Sequence, residues 1–381
     1  MTSIGAKLVF GTAARGEARR RKANSNSHEL QGTLFSKTSN GMARPVRRGP
    51  PALPAEDNTP EGLQSLLTAN AHYRRVPWPE PYDRTSHRLH LGDARDLGWI
   101  PDGSVHLVVT SPPYWTLKEY APGNNGQMGH FADYDYFLSE LDRVWRECAR
   151  VLVGGGRICC VVGDVCVPRK RGGRHHLVPL HSDIQVRART LGLDCLQPIL
   201  WNKIANGATE AKGNGAGFYG KPYQPGGIIK NDIEYILFLR KGGEYRTTPT
   251  LQKALSMLTK PEMKTWFRSV WPDLRGASTR EGHPAPYPAE LAERLIRMFS
   301  FAGDTILDPF AGAGSTSQAA IVSGRNSIAN EIEPVYFDIA QRRISKIARE
   351  RRLVGATKAE VIIDTSAAAG IPAADGIPAA L

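Results

Sequence analysis

The chain has 381 residues, of which 41% are apolar and 23% charged, a composition that fits a globular protein with one large core or two modest ones. No apolar stretch approaches the roughly 18 residues of a membrane span, and no export signal is evident, so we expect a cytoplasmic protein without a membrane partner. The 49 Lys and Arg residues outnumber the 37 Asp and Glu residues, and the net charge of +12 favours a polyanionic partner.

Most of the excess charge lies at the N-terminus. Residues 1–50 contain ten Lys or Arg and two Glu, which accounts for +8 of the net +12. Because residues 1–80 have no sustained apolar period, we expect a basic, largely disordered extension. Its cations can reach phosphates without a fixed geometry. A solvated extension without any such role is the alternative.

From residue 81 to 352, strand-like apolar runs alternate with helical patterns. The predicted strands are 106–110, 157–163, 195–201, 234–240, 305–310 and 326–331. The predicted helices are 134–152, 180–191, 288–300, 315–323 and 334–351. This alternation predicts an α/β fold in one domain, with a mostly parallel sheet covered by helices on both faces.

Three segments depart from this alternation. Residues 204–230 are rich in Gly, and residues 244–282 interleave Lys and Arg with aromatic residues that include Trp266 and Trp271. Each of these two segments is either a solvated surface loop or an insertion that faces nucleic acid. Residues 353–381 end in a short Ala, Pro and Gly repeat, and we expect a disordered tail.

The first chemical motif, TSPPYW at 110–115, directly follows a predicted strand. Pro112 and Pro113 restrict the backbone and lack N–H donors. The hydroxyl of Ser111 and the carbonyl of Pro112 should therefore point outward as hydrogen-bond acceptors, beside the ring of Tyr114. Two such acceptors can grip the amino group of a nucleobase while the ring stacks on the base. An SPP sequence alone is also typical of a rigid loop.

The second motif is TILDPFAGAGST at 305–316. A predicted strand ends at Asp308, a turn with Gly312 and Gly314 follows, and a helix begins after the turn, an arrangement that suits a nucleotide-like cofactor. Glu331 ends the next predicted strand, where a carboxylate can accept hydrogen bonds from both hydroxyls of a ribose. Asp308 would repel a pyrophosphate but attract the cationic amino group of S-adenosylmethionine.

The two motifs and their order resemble those of the beta class of DNA amino-methyltransferases, in which the catalytic motif precedes the cofactor motif. TSPPYW is similar to the catalytic motif and DPFAGAGST to the cofactor motif. The likeness covers about residues 85–350 and includes GDARDL (92–97), NDIEYILFLRK (231–241) and GHPAPYP (282–288). It implies a Rossmann-like methyltransferase fold with permuted motif order.

The resemblance also assigns roles to individual residues. The catalytic set would be Ser111, Pro112, Pro113 and Tyr114. The cofactor-binding set would be Asp93 at the adenine edge, His283 and Pro284 in the methionine pocket, Asp308, Phe310, Gly312 and Gly314 along the methionine and ribose side, and Glu331 on the ribose. Ala329, Asn330 and Glu331 stand where the family more often has Gly-Ile-Glu.

The implied activity is site-specific methylation of double-stranded DNA, with S-adenosylmethionine as cofactor and a flipped-out base as target. Because most N6-adenine members have Asp where this chain has Ser111, the resemblance favours N4 of cytosine. The alternatives are N6-adenine methylation, methylation of RNA or of a protein amide, and a non-enzymatic DNA-binding module. A cognate restriction endonuclease that shares the target site, and a monomer or weak homodimer, are further expectations.

We expect no metal. The five cysteines show no CxxC spacing. His175, His176 and His181 follow a basic run, but no spaced carboxylates or thiols accompany them. We therefore expect these histidines to contact phosphate or solvent.

Overall fold

The computed structural model describes residues 49–115, 126–167, 173–174, 176–203, 232–276, 287–353 and 357–366. Its strands are β1 (Arg84–Leu91), β2 (Val105–Thr110), β3 (Leu152–Val162), β4 (Val165–Val167), β5 (His176–Val178), β6 (Leu193–Asn202), β7 (Ile233–Lys241), β8 (Val270–Trp271), β9 (Thr305–Asp308), β10 (Asn326–Glu331) and β11 (Lys358–Asp364). Its helices are α1 (Pro60–Tyr73), α2 (Tyr134–Val151), α3 (Leu180–Thr190), α4 (Thr250–Ser256), α5 (Lys260–Trp266), α6 (Ala289–Phe299), α7 (Ser315–Ser323) and α8 (Pro334–Leu353). None of these helices is long and apolar enough to cross a membrane.

Nine of the strands form one sheet in the order β11-β1-β10-β9-β2-β3-β7-β6-β8. The pairs from β11 through β3 are parallel, β7 is antiparallel to both β3 and β6, and β8 is parallel to β6. The adjacent strands β10, β9 and β2 therefore end at the same edge, with Glu331, Asp308 and Thr110 as their last residues. This carboxyl edge is where ligands of such sheets bind.

The central strands are buried on both sides. In β2, Leu107 and Val109 belong to the apolar cluster that contains α6, whereas Val108 belongs to the cluster that contains α2. Cys159 and Cys160 of β3 divide between the two clusters in the same way. Because successive side chains point to opposite faces, a continuous apolar run buries itself against helices on both sides.

The predicted fold class is confirmed. The sheet is mostly parallel, helices cover both faces, and the strand before TSPPYW precedes the strand before DPFAGAGST along the chain. Every predicted strand and helix is present. The largest shift is in β3, which begins at Leu152 rather than at residue 157 because α2 runs directly into it.

Helix α1 corrects the prediction of disorder for Pro60–Tyr73, the ordered part of the predicted extension. It begins after Thr59, whose Oγ1 accepts a hydrogen bond from the N–H of Gly62 at 3.0 Å. Its apolar side chains, Leu66 among them, pack on Ala254 and Leu255 of α4. Partners so far along the chain leave no local signal in the sequence. Residues 1–48 lie outside the described residues.

Strand β11 corrects the prediction for residues 353–381 in the same way. It pairs in parallel with β1 and extends the sheet by one strand, with Ala359 buried at 1% exposure. The residues that follow are rich in Ala, Pro and Gly, so the composition of 353–381 as a whole does not reveal this short strand. Within the predicted tail, Lys358–Asp364 is therefore part of the sheet.

The insertion at 244–282, described as far as residue 276, contains α4, α5 and β8. Trp271 is completely buried and Trp266 packs beside it. Trp271 therefore belongs to the core and Trp266 packs against it, whereas a nucleic-acid contact of this insertion stays a prediction. The other predicted insertion, 204–230, lies outside the described residues.

Replacing Leu66 by Ala should lower the free energy of unfolding by about 2–5 kcal/mol, because the side chain is 4% exposed and its loss leaves a cavity. Leu63 on the same helix is 47% exposed, and Leu63→Ala should cost less than about 0.5 kcal/mol. Urea unfolding of both variants measures the difference. Equally small losses would show that α1 does not pack on the core.

Candidate active site

A cleft of about 700 Å³ opens at the carboxyl edge of the sheet. Its walls include eight of the predicted site residues, namely Asp93, Ser111, Pro112, Pro113, Tyr114, Phe310, Gly312 and Glu331. Two motifs that are almost 200 residues apart in the sequence (110–115 and 305–316) thus meet in one cavity.

The glycine turn after β9 forms one wall. Gly312 and Gly314 have φ angles of +50° and +79°, in the left-handed region that glycine tolerates best. The N–H of Gly312 donates to Glu331 Oε2 at 2.7 Å. Gly314 is absent from the lining, and a Cβ there would lie 3.2 Å from Ala340 Cβ, so this glycine allows the turn to approach α8.

Glu331 is a buried carboxylate that faces the cleft. It is 7% exposed, and its Oε1 accepts from the N–H of Glu333 at 2.9 Å while Oε2 accepts from Gly312. Burial raises the pKa of Glu331 to about 7. A carboxylate oxygen can accept more than one hydrogen bond, so Glu331 keeps acceptor capacity for a ligand.

Asp308 is more deeply enclosed. It is 1% exposed and is not among the lining residues. Oδ1 accepts from Thr110 Oγ1 at 2.7 Å and from the N–H of Phe310 at 3.1 Å. Oδ2 accepts from Thr316 Oγ1 at 2.7 Å and from the Tyr287 hydroxyl at 3.0 Å. Four internal donors thus surround this carboxylate and set it back from the cleft, and its contact with the amino group of the cofactor stays a prediction.

Burial raises the pKa of Asp308, whereas the hydrogen bonds from Thr110, Thr316, Phe310 and Tyr287 lower it. The donors come from β2, from the turn after β9, from α7 and from Tyr287, two residues before α6. This carboxylate therefore joins the turn 110–115 after β2, which we call the catalytic turn after its predicted role, to the glycine turn after β9, which we call the cofactor turn on the same basis.

Asp93 lines the cleft after β1, with a side chain that is 33% exposed. Its Oδ1 accepts from the N–H and the Nε of Arg95, at 2.8 Å and 2.9 Å. Arg95 also pairs with Glu140. The ion pair fixes the direction of the Asp93 carboxylate and leaves part of it accessible from the cleft.

The catalytic turn TSPPYW forms the opposite wall. Ser111 Oγ donates to the hydroxyl of Tyr114 at 3.2 Å, and Tyr114 is 6% exposed. Trp115 closes the turn with a φ of +46°, a left-handed conformation that costs of order 1–3 kcal/mol for a residue other than glycine. Such strain persists only where the surroundings hold the backbone, which is common beside functional groups.

The sequence did not predict the other eight lining residues, among them Asn330, Gln127 and Met128. Asn330 Oδ1 is buried and accepts no hydrogen bond from any of the described residues. Gln127 lines the cleft and its amide donates to Glu333, and Met128 lies beside it. Asn330 could have been found from its place next to Glu331, whereas the stretch around Gln127 has no recognisable pattern.

His283 and Pro284 lie outside the described residues, as does His175. The Nδ1 of His181 lies 2.7 Å from Asp164 Oδ1 and its ring stacks on Tyr235, although the side chain keeps 20% of its surface exposed. His176 is exposed. Within the ranges that the structure covers, no group of three or more His, Cys, Asp or Glu side chains could hold a metal ion.

The fold and the cleft define a class, the methyltransferases with a Rossmann-like sheet and permuted motifs. The family model N6_N4_Mtase, described as DNA methylase, matches residues 105–342. The type II methyltransferase M.MjaI of Methanocaldococcus jannaschii is 36% identical over 286 residues, which are 68% of this chain and 91% of that protein. The DNA adenine methyltransferase YhdJ of Escherichia coli is 28% identical over 275 residues, 70% of this chain and 85% of its own.

Among solved structures, the putative DNA modification methylase TTHA0409 of Thermus thermophilus, in complex with S-adenosyl-L-methionine, is 48% identical. The alignment covers 74% of this chain and 99% of that one, with a TM-score of 0.58. The chain belongs to the N6/N4 family of DNA methylases, the beta-class amino-methyltransferases. It is a DNA methyltransferase whose cofactor is S-adenosylmethionine.

Thr316→Val, which keeps the shape of the side chain, removes one donor from the buried Asp308 carboxylate. We expect a loss of about 1–3 kcal/mol in the free energy of unfolding. Thr68→Val on the exposed face of α1 removes a hydroxyl whose only described contact is to the carbonyl of Gln64, and should change stability by less than about 0.5 kcal/mol. Chemical denaturation of both variants tests this, and equal effects would contradict it.

The raised pKa of Glu331 predicts a pH dependence of stability. Between an unfolded value near ~4.3 and the folded value of about 7, the folded state binds the extra proton, so its stability falls as pH rises. The free energy of unfolding of Glu331→Gln should therefore rise relative to that of the wild type from pH ~5 to ~7, by up to about 1.4 kcal/mol per pH unit. Urea unfolding across this range, with the exposed Glu360→Gln as control, measures the effect. Parallel curves for wild type and Glu331→Gln would contradict it.

Proposed function

We propose that the protein transfers the methyl group of S-adenosylmethionine to N4 of cytosine in double-stranded DNA. The observation that carries this proposal is Ser111, a hydroxyl on the wall of the cleft at the position where a carboxylate would favour adenine. The sequence around it, SPPY, resembles the N4-cytosine branch of the family. The net charge of +12 suits a DNA partner.

The cofactor half of the cleft lies, in this proposal, along Phe310, Gly312, Asn330 and Glu331. The chemistry of these groups fits S-adenosylmethionine. Glu331 retains lone pairs for two ribose hydroxyls, and the buried Asn330 Oδ1 offers an acceptor for an amino group of the cofactor. Asp93, whose direction Arg95 fixes, would accept from the adenine edge.

Asp308 supports the cofactor site indirectly in this proposal. Its hydrogen bond from the N–H of Phe310 orders the start of the turn, and its contact with Thr316 orders the first residues of α7. Loss of the carboxylate would therefore weaken cofactor binding by loosening the turn. Gly314 contributes through the conformation of the same turn.

Bound S-adenosylmethionine supplies a methyl group that is already activated. The amino nitrogen of cytosine is a poor nucleophile because its lone pair is delocalised into the ring. Ser111 Oγ and the Pro112 carbonyl accept hydrogen bonds from the two amino hydrogens and draw the nitrogen toward a tetrahedral geometry, so that its lone pair becomes available. Pro113 keeps the acceptors fixed.

Adenine N6 is the competing target, and the relative YhdJ is named as an adenine methyltransferase. The two amino groups have the same geometry, so the acceptor pair alone accommodates either one. A base in duplex DNA must leave the stack to reach the cleft, and both bases can do so. The identity of residue 111 is the feature that favours cytosine.

Incubation of unmodified duplex DNA with the protein and S-adenosylmethionine should yield N4-methylcytosine, identified by mass spectrometry of the digested nucleosides. N6-methyladenine as the product would overturn the choice of base and leave the family unaffected.

Ser111→Ala provides the matched test of mechanism. The variant should form product at least about tenfold more slowly while its affinity for S-adenosylmethionine, measured by calorimetry, stays within about twofold, because the lost interaction strengthens only in the transition state. A normal rate in this variant would remove Ser111 from the mechanism.

A further inference from the structure

Ser111 is the first member of a hydrogen-bonded chain that ends in an ion pair. Ser111 Oγ donates to the hydroxyl of Tyr114 at 3.2 Å, and that hydroxyl donates to Glu234 Oε2 at 3.3 Å. The other oxygen of Glu234, Oε1, accepts from Lys203 Nζ at 2.5 Å. The Glu234 and Lys203 side chains are 13% and 19% exposed. Three hydrogen bonds thus separate the ammonium group from the Ser111 hydroxyl.

The sheet builds this proximity. Glu234 lies in β7 opposite Trp201 of β6, and Lys203 follows the last residue of β6. On the other side of β7, Tyr235 pairs with Val162 at the end of β3. A Cβ at Gly163, the next residue, would lie 3.4 Å from both the Glu234 Cγ and the Tyr114 ring. The Glu234 side chain and the Tyr114 ring therefore meet beside the end of β3.

We infer that Glu234 is a positioning residue for methyl transfer, acting through Tyr114 to orient the hydroxyl of Ser111. The inference rests on the proposed role of Ser111 as an acceptor for the target amino group. Glu234 itself is not among the residues that line the cleft, so its effect passes through the tyrosine hydroxyl.

The inference depends on the direction in which the hydroxyl hydrogens of Ser111 and Tyr114 point. A serine hydroxyl has one hydrogen and two lone pairs, and an amino group offers it only hydrogens. A serine hydrogen that pointed into the cleft would oppose the amino group. When the serine hydrogen points toward Tyr114, the lone pairs of Ser111 Oγ face the cleft.

Glu234 determines the direction of the serine hydrogen indirectly, because it orients the hydroxyl of Tyr114. The Tyr114 hydroxyl lies 3.3 Å from Glu234 Oε2 and 3.4 Å from the Val161 carbonyl. A carboxylate is the stronger acceptor, so it draws the tyrosine hydrogen and leaves the tyrosine oxygen to accept from Ser111. Polarisation along such a chain also strengthens Ser111 Oγ as an acceptor.

The competing explanation is that Lys203 and Glu234 merely tie β6 to β7. A second ion pair joins the same strands, between Arg240 Nη2 and Asp194 Oδ2 at 2.6 Å, and neither residue lines the cleft. Asp194→Asn is therefore a matched control for Glu234→Gln. Both changes replace a carboxylate by an amide in a cross-strand ion pair.

The test compares single-turnover methylation of unmodified plasmid DNA, calorimetric affinity for S-adenosylmethionine, and urea unfolding. Glu234→Gln should lower the transfer rate about tenfold, the effect of losing one charged hydrogen bond, and leave cofactor affinity within about twofold. Asp194→Asn should leave the rate unchanged. A normal rate in a folded Glu234→Gln protein would overturn the inference, as would equal slowing in the two variants.

Tyr114→Phe makes the test specific to the chain of hydrogen bonds. In that background, Glu234→Gln should slow the reaction by less than about twofold more, because the link to Ser111 is already broken. Full additivity of the two effects would refute the relay. If Glu234→Gln does not fold, Tyr114→Phe alone tests the inference. A normal transfer rate in Tyr114→Phe would also refute the positioning role of Glu234.

Ser111→Ala separates this inference from the proposed function. A slow Ser111→Ala protein beside a normal Glu234→Gln protein would overturn the positioning role alone. A normal Ser111→Ala protein would overturn the acceptor role on which the positioning role depends.

Discussion

The geometry of the cleft depends on the buried carboxylate of Asp308. A charge in the interior is costly unless hydrogen bonds replace its hydration, and Asp308 at 1% exposure receives four of them. The donors lie on separate elements: Thr110 ends β2, Phe310 begins the glycine turn, Thr316 lies in α7 and Tyr287 precedes α6. The Asp308 carboxylate therefore fixes the position of each donor. Because Thr110 directly precedes Ser111, the position of Ser111 is fixed as well. Satisfying one carboxylate therefore sets the distance between the catalytic turn and the cofactor turn.

Glu331 shows how a second carboxylate at the same edge acquires a different role. Asp308 accepts from side-chain hydroxyls on both oxygens, whereas the donors to Glu331 among the described residues are the backbone N–H groups of Gly312 and Glu333. Fewer donors leave burial less compensated, and the pKa of Glu331 rises to about 7. The same shortage leaves acceptor capacity that faces the cleft. A ribose diol that donates to Glu331 would supply the hydrogen bonds that the folded chain alone does not.

The sequence predicted the central sheet well because β2, β3, β7 and β9 are continuous apolar runs buried on both faces, a pattern that stands out locally. It missed β1 and β11 because strands near the sheet edge alternate polar and apolar residues, and it missed α1 because the partners of that helix lie almost 200 residues further along the chain, in α4. The two site motifs were found because each is contiguous. The donors of Asp308 were not, since Thr110 and Tyr287 approach it only through the fold.

Strand β2 lies between β9 and β3 in the sheet, and this order lets the catalytic turn be held from two sides. On the β9 side, Thr110 is bonded to Asp308, which also orders the glycine turn. On the β3 side, Tyr114 reaches Glu234 of β7, beyond the point where the sheet turns antiparallel. The contact between Thr110 and Asp308 also orders the backbone of the cofactor turn. Its loss should therefore reduce both the stability of the fold and the affinity for the cofactor. The second contact ends at one hydroxyl hydrogen, so in the proposed mechanism its loss leaves the cleft intact and slows the transfer step. A single turn thus combines a structural constraint that fixes where Ser111 lies with a separate electrostatic one that fixes which way its hydroxyl points.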